Sequence, residues 1–103
     1  MEKAQTGAIE IGQEVDRIYK DVPPTSEIVD AALGRKIKID SQGSKTAVVW
    51  NPWVEISAKS GDLADDSYKT FVCVETVNAA NEVIEVAAGA EYKLVATYEV
   101  EKV

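Results

Sequence analysis

The stretch Val48-Val49-Trp50-Asn51-Pro52-Trp53 decides the reading of this chain. A residue that precedes proline is pushed out of the helical region, so the apolar run leading to Asn51 reads as a strand that stops at a tight corner. Asn51 and Pro52 fix that turn, and the two tryptophans flanking it are expected to pack around the corner as core plugs. Further along, Phe71-Val72-Cys73-Val74-Glu75 is a second apolar run, ended by a carboxylate. Residues 47–49 and 71–74 are apolar on both strand parities, the pattern of strands inside a sheet stack, and they form the predicted core.

Elsewhere the hydrophobic period is two. Ile37 and Ile39 alternate with Lys36, Lys38 and Asp40, which predicts a strand with one wet face. In the last segment Tyr92, Leu94, Ala96, Tyr98 and Val100 share one face, while Lys93, Thr97, Glu99 and Glu101 share the other. Turn signals fall at Pro23-Pro24, Gly34, Ser41-Gln42-Gly43-Ser44, Asn51-Pro52, Ser60-Gly61-Asp62 and Ala88-Gly89. Short strands separated in this way predict an all-β chain folded as an antiparallel β-sandwich. Residues 26–33 fit either a strand or a helical turn capped by Ser26. Residues 56–67 are polar with scattered apolar positions, which predicts a long loop with one helical turn around Leu63. No internal repeat or linker divides the chain, so residues 1–103 read as one domain.

Composition narrows the chemistry. Eighteen acidic and eleven basic residues give a formal charge of −7, which opposes nucleic acid and polyphosphate binding. Arg35, Lys36 and Lys38 are the basic cluster, and Glu27 and Asp40 dilute it into an ordinary solvated strand face. No apolar run approaches the roughly 20 residues that span a bilayer, and the first residues lack the layout of a signal peptide, so a soluble cytoplasmic protein without membrane contact is expected. The chain contains no histidine, which removes triads of the usual kind, histidine metal ligands and a histidine general acid. No metal site is expected. Cys73 has no disulfide partner and no histidine to activate it, so it reads as a small buried apolar residue.

Three segments in order carry a family resemblance. Residues 14–19, Glu-Val-Asp-Arg-Ile-Tyr, residues 47–55, Ala-Val-Val-Trp-Asn-Pro-Trp-Val-Glu, and residues 65–75, ending in Val-Cys-Val-Glu, resemble the C-terminal part of the glucose-6-phosphate 1-epimerases of the galactose-mutarotase-like group. Residues 88–92 are similar to a turn and aromatic strand near that family's C-terminus, with Ala88 where a proline is usual. The resemblance implies a β-sandwich, favours a strand over residues 26–33, and implies interconversion of the anomers of a hexose 6-phosphate without a cofactor. Mutarotation needs a base for the anomeric hydroxyl and an acid for the ring oxygen. By resemblance, Glu75 matches the catalytic base and Asp16 an acceptor for sugar hydroxyls, with Arg17 beside it. Trp50 offers an apolar platform for a sugar face.

Each of these residues also has an ordinary structural reading. Glu75 sits at a strand end where its charge can reach water, although its parity with Phe71 and Cys73 gives it the apolar setting that suits a general base. Asp16 and Arg17, or Glu14 and Arg17, make an unremarkable surface ion pair. The resemblance further implies that the acid and the phosphate-gripping cations belong to a portion of the family that precedes these segments, so the chain alone is expected to have little or no epimerase activity. The alternative is a non-catalytic carbohydrate-binding or structural β-sandwich. With part of a larger sandwich absent, sheet edges and an apolar face are expected to be uncovered, and a homodimer or a complementing chain is expected to cover them.

Overall fold

The computed structural model describes residues 7–103, which form two three-stranded antiparallel sheets and one short helix. The first sheet has the order β1 (Val15–Tyr19), β4 (Thr46–Asn51), β5 (Cys73–Val77). The second has the order β2 (Thr25–Asp30), β3 (Arg35–Gln42), β6 (Val95–Lys102). The strands therefore alternate between sheets in pairs, the wiring of a sandwich, and the all-β expectation holds. Among the described residues no helix is long and apolar enough to cross a membrane.

β2 and β3 form a hairpin around residues 31–34. The Asp30 carboxylate accepts the Leu33 amide at 3.2 Å and pairs with Arg35 at 3.0 Å, and Gly34 supplies the left-handed position with φ 62°. Residues 26–33 thus divide into a strand, as the resemblance favoured, followed by a turn.

The outer face of the second sheet alternates charge diagonally across strands. Lys36 pairs with Glu27 at 3.3 Å and Lys38 with Glu101 at 3.2 Å. Its other face carries Ser26, Ile28, Ile37, Ile39, Tyr98 and Val100, and it meets the face of the first sheet that carries Val15, Ala47, Val49 and Asn51. A hydrogen bond of 2.8 Å between the Ser41 and Thr76 hydroxyls joins the two layers. Ile39, 2 % exposed, is the most buried residue of the second sheet. Toward β1 and β2 the layers part into an apolar groove of about 430 Å³ lined by Tyr19, Ile28, Ala47, Val49 and Val74 among others.

Three expectations need correction. The predicted core holds at Ala47 and Val49, but Val48 is half-buried because its parity is opposite to theirs, and residues 71–74 are half-buried because β5 is an edge strand that starts at Cys73. The loop expected over residues 56–67 starts inside helix α1 (Trp53–Lys59), and the helical turn expected around Leu63 is instead a single 3₁₀ turn at Ser67–Lys69. Pro52, with φ −67°, opens the helix, and the Ser60 hydroxyl closes it by donating to the Ile56 carbonyl at 2.8 Å. Its apolar pattern is inverted: Ser57 is fully buried while Val54 and Ile56 are exposed, so hydrophobic periodicity carried no helical signal. The last strand begins at Val95 rather than near Tyr92, whose hydroxyl is instead turned to the Gly43 carbonyl.

Candidate functional site

The register of the first sheet determines which candidate residues meet. Asp16 lies opposite Trp50, and Trp50 opposite Cys73, so these three form one row across the sheet. The next row on the same face is Ile18, Val48 and Glu75. Since Ala47, Val49 and Asn51 point inward, this second face is the outer one. It presents a carboxylate on each edge strand, Asp16 on β1 and Glu75 on β5, with an apolar strip between them. Both carboxylates are exposed, Trp50 and Cys73 are half-buried, and Ile18 is 51 % exposed. Two strand spacings and one pleat repeat set the Cα atoms of Asp16 and Glu75 about 12 Å apart.

Arg17 does not join them. Alternation turns it to the inner parity opposite Val49, and it emerges into solvent only because β1 is an edge strand. The sheet brings Asp16, Trp50 and Glu75 to one face and leaves Arg17 on the other.

The two tryptophans also separate, because helix α1 turns the chain at the corner. Trp50 stays on the outer face and packs against Phe71, with ring centroids 5.8 Å apart and planes tilted by 46°. Trp53 leaves the sheet and packs on Tyr68 at 4.8 Å, with Lys69 over the far ring. Both are half-buried rather than core plugs. Trp53 takes a left-handed backbone, φ 58°, a strained choice for a bulky residue.

Asn51 holds this arrangement from the inner side. It is 1 % exposed, its amide nitrogen donates to the Tyr68 carbonyl at 2.9 Å and the Phe71 carbonyl at 2.7 Å, and its oxygen accepts the Trp53 amide at 2.8 Å. One side chain thereby ties the end of β4, the start of α1 and the approach to β5. Sequence reasoning gave Asn51 the turn but not the long-range bonds, which join residues 17 and 20 positions apart. Parity placed Phe71 on the face of Glu75 and Cys73, but not its ring contact with Trp50.

At the other end of the sheet, Glu82 staples the loop after β5 onto β4. Its carboxylate accepts from the Thr46 hydroxyl at 2.6 Å and the Lys45 amide at 2.7 Å. These bonds, the Thr46 hydroxyl foremost, hold Glu82 below the usual carboxylate range. Burial, then the neighbouring Glu75 charge, pushes the Cys73 thiol up, so it stays protonated. Among the described residues no three metal-ligating side chains of the His, Cys, Asp and Glu types come together.

The sequence pattern of the aldose 1-epimerase family matches residues 2–99. The chain belongs to the aldose 1-epimerase family. It is 46 % identical over 65 residues to a protein of Escherichia coli (strain K12) provisionally named glucose-6-phosphate 1-epimerase, a match covering 63 % of this chain and 22 % of that relative. A protein of the same name from Cenchrus ciliaris is 33 % identical over 89 residues, covering 86 % of this chain and 27 % of the relative. This aldose 1-epimerase family chain thus spans about a quarter of the length of the curated relatives it matches. No solved structure gives a significant match.

Proposed function

We propose that the outer face of the β1-β4-β5 sheet is the base-bearing part of a hexose-6-phosphate 1-epimerase site. The observation that carries the reading is the shared face of Asp16, Trp50 and Glu75, three residues far apart in sequence that a β register of the opposite parity would have scattered. In the proposed chemistry Glu75 takes the proton of the anomeric hydroxyl while an acid protonates the ring oxygen. The bond from the anomeric carbon to the ring oxygen breaks, the aldehyde rotates, and the ring recloses on its other face with the two protons returned. Asp16, across the strip, accepts hydrogen bonds from sugar hydroxyls, and Trp50 with Phe71 offers an apolar surface to the pyranose. Arg17 has no part in this arrangement.

The ring-oxygen acid and the cations for the phosphate come from outside this set of residues. An acid or base typically contributes about 10² to 10⁴-fold, so these residues without a positioned acid bind the sugar with little turnover. Binding and anomer exchange are measured together, by titrating glucose 6-phosphate into the isotopically labelled chain and following exchange between its anomers by NMR. The expected result is a set of shifts confined to the outer face, at the Trp50 indole and the Asp16 and Glu75 amides, weakened by Asp16→Asn. Any residual acceleration of exchange vanishes in Glu75→Gln. Shifts on the inner face, or none at saturating sugar, would sink the reading.

A further inference from the structure

We propose that β6 is a self-pairing edge at which two copies of this chain join their second sheets into one continuous sheet. The inference stands apart from the sugar reading and begins with the four sheet edges. β1 and β5 are five residues each, and β2 is entered through Pro23-Pro24, which cannot donate to a ladder. β6 is longer, eight residues, contains no proline, and keeps an unbroken register with β3 from Arg35 opposite Lys102 to Gln42 opposite Val95. Among the described residues no strand pairs with its far side, which presents a row of backbone donors and acceptors, the feature that recruits another strand unless a bulge, a proline or an inward charge blocks it.

The side chains agree with the backbone. Ile39 is 2 % exposed, whereas Tyr98 directly beside it on the same face is 61 % exposed, and Val100 is also 61 % exposed. The cover from the first sheet ends between β3 and β6 and leaves an apolar row on the open strand. A two-fold pairing of β6 with its own copy doubles that row and encloses it between the first sheets of the two copies.

Charge selects the register. With Tyr98 on the two-fold axis, Thr97 faces Glu99, Ala96 faces Val100 and Val95 faces Glu101, so no carboxylate meets another directly across the seam. Centring on Glu99 sets that residue against its own copy, and centring on Val100 sets Glu99 against Glu101, both unfavourable. Centring on Thr97 shortens the strand-to-strand overlap to residues 95–99. The Tyr98-centred register is the longest one free of directly opposed like charges, and this fits a second copy as the occupant.

Sedimentation equilibrium of the whole chain should give a concentration-dependent mass rising to that of two copies. In a Cys73→Ser background, Tyr98→Cys should cross-link under mild oxidation, since opposed Cα atoms in an antiparallel pair lie within disulfide reach. Ala96→Cys and Val100→Cys should each fail to cross-link alone and should cross-link when mixed. Val100→Lys, checked for folding by near-ultraviolet circular dichroism, should weaken association about tenfold or more by placing a charge beside the axis. A single-copy mass up to millimolar concentration overturns the proposal, including the case in which a separate polypeptide is the natural partner of this edge. Dimers that form without the Tyr98→Cys cross-link, or that persist undiminished in Val100→Lys, overturn it as well.

Discussion

Asn51 uses its amide nitrogen twice and its oxygen once, and all three partners are backbone groups of other segments. Asn51 is 1 % exposed, and its truncation removes the side-chain partner of the Tyr68 and Phe71 carbonyls and of the Trp53 amide. Asn51→Ala is expected to lower stability by about 3 kcal/mol in urea unfolding, and a loss below about 1 kcal/mol would show that the corner holds without it. The replacement should also change the near-ultraviolet circular dichroism of the Trp50 and Phe71 pair, because Phe71 hangs on this bond. The corner itself was legible in Asn-Pro, since the proline constraint acts on the adjacent residue. The bonds from Asn51 to Tyr68 and Phe71 were not, because an amide side chain names a capacity and not a partner.

Among the elements, β3 shows how a two-residue period becomes a surface with opposite faces. Ile37 and Ile39 turn inward, while Lys36 and Lys38 turn outward to Glu27 and Glu101 on the flanking strands. Glu101 first, then Glu99 and Glu27, raise the affinity of Lys38 for its proton. Lys38→Glu places a carboxylate among three others and is expected to lower the melting temperature in dilute buffer. The deficit should shrink in about 1 M salt, where screening operates within about 3 Å. A deficit unchanged by salt would mean that packing of the lysine stem, rather than charge, is what β3 loses. This strand was readable from alternation alone. Helix α1 was not, since its buried position is Ser57 and its apolar residues Val54 and Ile56 face water. The rule that apolar positions mark the buried face fails in α1, where the buried side chain is a serine.

For the whole molecule, acid stability depends on the two carboxylates that fasten turns. Glu82 is held below the usual range chiefly by the Thr46 hydroxyl, and Asp30 chiefly by the Arg35 guanidinium. Each binds its proton less readily folded than unfolded, so each contributes stability that is complete above the unfolded pKa and is lost as pH falls through the lower folded value. The loss therefore falls below about pH 4. Glu82→Gln is expected to be less stable than the parent at about pH 7 and to converge with it as the pH falls through the lowered folded value of Glu82, measured by urea midpoints across an acid series. A constant gap at all pH values would assign the effect of Glu82 to shape and not to charge.

The sequence by itself determined the sandwich and the family, because strand period, proline turns and a run as specific as residues 48–53 are local properties that survive without the rest of the chain. It also determined that an unassisted histidine mechanism is absent, since a residue type that does not occur cannot act. Only the tertiary structure decided that Asp16, Trp50 and Glu75 share a face while Arg17 does not, and that Tyr98 and Val100 of β6 stand exposed beside the buried Ile39 of β3. Those facts follow from register and from which strands lie at sheet edges. Both are set by pairings between distant residues, and a one-residue slip in any of them reverses every side chain on a strand.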